Sequence, residues 1–177
     1  IIFFSKKSFF IIHENSSYLI KFIAKFYRNL YFIGYWQNKK LNTKKYSRIL
    51  EELRVSKDLE KLYINNYWIE QIDNKNSVAV CVRRSDYVKI GASSDITFFQ
   101  KSMDFFMDKY EDIKFFFFSD DIDWCKKNFS DRSNTFFINA NKDLSIEDIK
   151  LIGRCHHSII SKSTFAWWGS SLILNPN

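Results

Sequence analysis

The amino-acid sequence predicts an α/β protein built on a doubly wound parallel sheet, and three observations carry that expectation. Four short apolar runs, at 78–82, 115–118, 135–138 and 158–161, have the length and the β-branched or aromatic character of buried strands. The segments between them place apolar residues three and four positions apart, so strand and helix alternate along the second half of the chain. Three of the runs end abruptly in polar residues: Arg83-Arg84, Ser119-Asp120-Asp121 and Ser161-Lys162-Ser163. In open α/β sheets the ligand lies outside the carboxyl ends of the strands, which is where these clusters fall.

The elements follow in order. Val78 to Val82 is an unbroken apolar run that turns without a linker into Arg-Arg-Ser-Asp-Tyr. Asp95 is suited to be an N-cap, and Ile96, Phe99, Met103, Phe106 and Tyr110 form one apolar helical face behind it. The four phenylalanines at 115–118 read as a strand buried on both faces, followed by a helix over 121–129 and a third strand at 135–138. Ser145 with Asp148 has the spacing of a capping box for a helix reaching Arg154. A fourth strand at 158–161 precedes a last helix opening at Ser163. Strand–helix units in succession imply right-handed crossovers.

The first 76 residues are less regular. Short strands are expected at 1–4 and 9–12, and a helical pattern over 18–32 is broken by Gly34-Tyr35-Trp36-Gln37. Further helices are expected at 46–55, with Ile49, Leu50 and Leu53 on one face, and at 59–72. The polar stretch Asp73-Asn74-Lys75-Asn76 is the clearest connector. It divides a partial N-terminal, mostly helical α/β domain (1–76) from a second domain (77–177).

Composition narrows the function. Of 177 residues 46% are hydrophobic and 19% aromatic, enough for a packed core. The net charge of +7 favours an anionic partner: nucleic acid, anionic lipid or a phosphorylated small molecule. The lysines are scattered in pairs and no recognition motif for nucleic acid is present, so a nucleic-acid module is the weakest reading. Cys81, Cys125 and Cys155 are odd in number and lack CxxC spacing, which argues against a disulfide framework and a zinc site and suits a reducing setting. No run approaches the roughly 20 apolar residues of a membrane span. His156 and His157 read as surface or capping residues, and no metal site is expected.

Two adjacent guanidiniums at a strand end can clamp a phosphate or diphosphate, because their planar forks match that geometry. The helix opening at Ser163-Thr164 would add backbone N–H donors and its positive dipole end. Asp120 or Asp121 is either an acceptor for a base or ribose, or an N-cap with a first-turn acid.

Three motifs carry a family resemblance. Val-Arg-Arg-Ser-Asp-Tyr at 82–87 resembles the His-x-Arg-Arg-Gly-Asp-Tyr motif of the α-1,2-fucosyltransferases, glycosyltransferase family 11. The stretch at 117–126 is similar to that family's second motif, and 159–169 to its Asn-Ser-(Ser/Thr)-Phe-Ser-Trp-Trp-Gly motif. Gly-Tyr-Trp-Gln at 34–37 also matches, so the resemblance runs from about residue 30 to 177. The chain departs from the pattern at Cys81 (family His), Ser85 (Gly) and Lys162 (Asn), and it lacks the family's Gly-Leu-Gly-Asn-Gln segment and the closing strand and helix. It therefore resembles a partial or diverged member.

The resemblance implies a two-domain GT-B architecture whose second domain binds GDP-β-L-fucose, and metal-independent, inverting transfer of fucose to the 2-hydroxyl of a galactoside in a glycan. Arg83 and Arg84 would hold the diphosphate and stabilise the departing GDP. Cys81, Asp86, Tyr87, Ser119, Asp120, Asp121, Ser163 and Thr164 would complete the donor site. No cofactor is implied beyond the donor itself. The implied setting is the cytoplasm or, peripherally, the inner face of the membrane in a bacterium, and the Golgi membrane in a eukaryote. The alternative from another class is a catalytically silent GDP-sugar-binding domain.

Overall fold

The structure, a computed structural model, describes residues 10–13, 15, 17–27, 29–33, 63–73, 76–139 and 145–173. The expected strand at 1–4, the helix at 46–55 and the 34–37 motif lie outside these residues. The chain forms two compact units that divide between Tyr46 and Ser47.

In the first unit, β1 (Phe10–His13) and β2 (Leu30–Ile33) pair in parallel, Ile11 opposite Tyr31 and Ile12 opposite Phe32. Between them α1 (Tyr18–Ile23) starts on Ser17, whose hydroxyl accepts from the Ile20 N–H at 3.5 Å, and runs into a 3₁₀ turn at Ala24–Phe26. The helix expected over 18–32 is thus a helix and a strand. Leu-Tyr-Phe-Ile is a short apolar run that suits either period, and pairing with β1 decides for the strand.

The second unit contains β3 (Ser77–Val82), β4 (Lys114–Ser119), β5 (Thr135–Phe137) and β6 (His157–Ile160), all parallel, in the order β5-β4-β3-β6. These are the four expected strands, shifted by no more than a residue or two. Helix α2 (Tyr63–Asp73) belongs with this unit and not with an N-terminal domain ending at 76. Ile72 is fully buried in its core, and Trp68 meets Phe116 edge-on at 6.4 Å.

Strand alternation splits the core into two layers. Val78, Val80, Val82, Phe115, Phe117 and Ile159 face α4 (Ile96–Lys109) and α5 (Ile122–Phe129), which contribute Phe99, Met103, Ile122, Cys125 and Phe129. Ala79, Cys81, Phe116 and Phe118 face α2, α6 (Ser145–Arg154) and α7 (Thr164–Ser171), which contribute Ile72, Leu151, Ile152 and Ala166. The phenylalanine run fills both layers, which is why it shows no alternation. Each such ring contributes about 1.5–3 kcal/mol by leaving water.

Ser85–Lys89 forms a short helix, α3, directly after the arginines. Two sequence readings change. His157 is buried rather than a surface residue, and His156 is only partly exposed. His157 is the first residue of β6 and packs on Tyr110 (4.8 Å) and Phe106 (5.1 Å), while His156 Nδ1 lies 2.9 Å from the buried Ser77 hydroxyl. Ser145 is the first helical residue of α6.

Where α7 crosses α6, a Cβ added at Gly169 would stand 2.9 Å from Cγ2 of Ile152. Gly169→Ala should therefore lower stability by about 1–3 kcal/mol through overpacking, despite the roughly 1 kcal/mol gain in helix propensity. A melting temperature at or above that of the wild type would contradict this close approach.

Candidate functional site

The site begins with strand order. β3 and β6 are neighbours, yet β3 leads out to α4 on one face of the sheet and β6 to α7 on the other. In open α/β sheets a ligand crevice lies at the carboxyl ends of two such strands, and residues 83–86 and 161–164 follow those strand ends.

The backbone leaving β3 is fastened from both sides. The Ser119 hydroxyl at the end of β4 donates to the Val82 carbonyl at 2.8 Å, and the Arg83 N–H donates to the Ser161 hydroxyl at the end of β6, 3.1 Å away. The Arg84 and Ser85 N–H groups donate to the two oxygens of Asp120, at 2.9 and 3.2 Å. Asp120 thereby sits on the N-terminal end of α3, where a carboxylate is favoured. The Arg84 carbonyl accepts from Val88 within that helix, at 2.7 Å.

The two arginine side chains are held differently. Arg83 Nε lies 3.0 Å from Asp86 and 3.1 Å from Asp120, with 42% of the side chain exposed. The hydrogen bond from Arg83 holds the Asp86 carboxyl below its ordinary range. Arg84 Nε donates to Asp121 at 3.1 Å, and its guanidinium carbon stands 3.9 Å from the centre of the Trp124 ring. Only 19% of the Arg84 side chain is exposed. In both arginines the carboxylates take Nε, and the terminal nitrogens have no hydrogen bond to the described residues. The result is a pair of cations, each held at Nε, whose terminal nitrogens are not engaged by the described residues.

Several expected site residues have other tasks. Asp120 and Asp121 are engaged with the chain: Asp120 as described, and Asp121 as the N-cap of α5, accepting from Trp124 N–H at 3.2 Å. The N-cap reading of Asp121 is the one the geometry favours. Ser119 also accepts from the Asp121 N–H at 3.0 Å. Cys81 does not face the crevice. It is 4% exposed, packs in the layer with Leu151 and Ala166, and burial pushes its thiol far up. Cys81 and Arg83 part company because the strand ends at Val82 and its alternation ends with it. Tyr87 is half-buried on α3, Ser163 caps α7 through Ala166 N–H at 3.4 Å, and Thr164 and Lys162 are exposed beside it. Sequence reasoning placed Ser161 at the crevice without a role and gave Trp124 none. Their positions, one at a strand end and one a turn into the helix behind Asp121, were the available signal.

Among the described residues no group of three or more His, Cys, Asp or Glu is placed to hold a metal ion, and no helix is long and apolar enough to cross a membrane.

Comparisons with known proteins agree with the motifs. The profile of glycosyl transferase family 11 matches residues 3–176. An alpha-1,2-colitosyltransferase of Escherichia coli is 30% identical over 172 residues, 90% of this chain and 57% of the relative. The O-antigen biosynthesis glycosyltransferase WbnK of the same species is 25% identical over 78% of the chain and 49% of its own length. Galactoside alpha-(1,2)-fucosyltransferase 1 of Sus scrofa is 31% identical over 103 residues, 54% of the chain and 28% of the relative. The chain thus spans about half the length of the bacterial relatives. No solved structure matches it.

Asp120→Ala leaves the Arg84 and Ser85 N–H groups without their acceptor and removes one of the two carboxylates on Arg83, and should lower stability by about 1–3 kcal/mol. Asp120→Asn, which keeps one acceptor oxygen, should lose less. Denaturant melts giving the reverse order would refute the role assigned to this carboxylate.

Proposed function

The chain belongs to glycosyl transferase family 11, and we propose that it takes part in moving L-fucose from GDP-β-L-fucose to the 2-hydroxyl of a β-galactoside in a glycan. The second unit is the donor-binding half of a GT-B enzyme in this reading. The single observation that carries the reading is the pair of anchored arginines at the β3–β6 crevice, whose terminal nitrogens are left for an anion. A nucleoside diphosphate presents two adjacent phosphates to such forks, and bidentate contacts fix their orientation.

The same charges serve the reaction. Breaking the bond between the sugar and the β-phosphate leaves negative charge on the departing GDP, and two guanidiniums already in place stabilise it without reorganising. The acceptor hydroxyl enters on the opposite face of the anomeric carbon, so a β-linked donor yields an α-linked product. The N-terminal end of α7, with Ser163 and Thr164, adds favourable potential for the diphosphate. With cationic side chains supplying the neutralisation, the transfer proceeds without a divalent ion. The relatives, among them an alpha-1,2-colitosyltransferase and a galactoside alpha-(1,2)-fucosyltransferase, support a fucose-like donor and an α-1,2 linkage.

Calorimetry should show GDP binding in the presence of EDTA, weakened by about 1.5–3 kcal/mol in Arg83→Ala, the range of a charge-assisted bond. Equal affinity for wild type and variant, or binding only with Mg²⁺, would overturn the assignment. Incubation with GDP-fucose and a β-galactoside, and in parallel with a colitose donor, tests the transfer itself. GDP binding without product from either donor would favour the silent binding domain.

A further inference from the structure

Trp124 lies within the 117–126 motif but was not among the expected site residues, yet its ring faces a site cation. The Arg84 guanidinium carbon stands 3.9 Å from the ring centre, inside the range in which an indole face attracts a cation. Asp121, three residues earlier, grips the same guanidinium at Nε, 3.1 Å away, while its other oxygen caps the helix that carries the tryptophan. Ring and carboxylate therefore belong to one rigid piece, the first turn of α5. That piece is anchored to the core by Phe129, which the indole meets edge-on at 5.9 Å. Arg83 has no aromatic neighbour of this kind among the described residues: two carboxylates hold its Nε and its side chain is twice as exposed.

We infer that Trp124 is a positioning residue for the anion site: its ring and Asp121 fix the plane of the Arg84 guanidinium, making Arg84 the rigid member of the pair and Arg83 the adaptable one. Carboxylates alone restrain a guanidinium along the Nε–H direction and leave rotation about that bond axis. A ring against its face removes this remaining freedom and points the terminal nitrogens one way. The stack also replaces water on one face of the cation, so less ordering is left to occur when an anion arrives. This inference rests on the donor-site reading above for its ligand, although the stack itself does not.

The test is a double-mutant cycle read by calorimetry with GDP and with inorganic pyrophosphate, joined to a measurement that needs no ligand. Trp124→Leu should weaken both anions by about 3- to 30-fold, the span of a partly desolvated cation–π contact, while Trp124→Phe, which keeps a face, should stay within about threefold. In the Arg84→Ala background Trp124→Leu should cost no further affinity, because the ring acts through that side chain. An equal loss in both backgrounds would mean that the tryptophan only packs, and would overturn the inference. In proton NMR of the free protein the Arg84 Nε–H should lie upfield and exchange slowly, should move in Trp124→Leu, and should hold its place in Trp124→Phe. Were the wild type to bind neither anion, the donor-site reading would fall, and this resonance alone would decide the positioning. An Arg84 signal indifferent to the loss of the ring would refute it.

Discussion

The structure depends on how the chain is held as it leaves β3. The Val82 carbonyl and the N–H groups of Arg83, Arg84 and Ser85 find partners supplied at the ends of the two flanking strands. A hydroxyl on each side and one carboxylate are enough. An irregular turn at the edge of a core would otherwise leave these groups to water or unpaired, and each unpaired buried group costs about 1–3 kcal/mol. Saturating them locally means that the arginines project from a backbone with few alternatives.

That arrangement is possible because the sheet is parallel and covered on both faces. Every strand ends at the same edge, so Ser119, Arg83 and Ser161 come within hydrogen-bonding reach although 42 residues separate Ser119 from Ser161. The covering helices leave by opposite faces at β3 and β6, the arrangement that places ligands at this edge in open α/β sheets. Packing and function meet at this edge. The residues that fill the two layers stop at Val82, and the next residue is already charged.

Charge is managed within the site as well. Two arginines side by side repel, and three aspartates, at 86, 120 and 121, offset that repulsion before any ligand arrives. The carboxylates meet Nε and leave the outer nitrogens, so the pairing restrains the cations without occupying the atoms an anion would use. Pairs this exposed contribute little to stability. Their effect is on orientation, the quantity that a charged transition state rewards.

The sequence by itself determined the alternation of strand and helix from Ser77 onward, the apolar stripe of α4, the caps at Asp95 and Ser163, and the arginine pair at a strand end. These follow from local periodicity and from residue types whose hydrogen bonds reach only a few positions along the chain. The three family motifs were legible for the same reason, being contiguous. Only the tertiary structure decided what those residues touch. The strand at Leu30–Ile33 exists because β1 lies beside it, and α2 joins the second unit because Phe116 and the core receive it. Cys81 turns inward where the motif suggested a ligand contact, and Asp120 spends its oxygens on backbone 35 and 36 residues away. Ser161 and Trp124 gained their roles from neighbours distant in sequence. No window of the chain records such contacts, since they come into being only when the strand ends are drawn to one edge of the sheet.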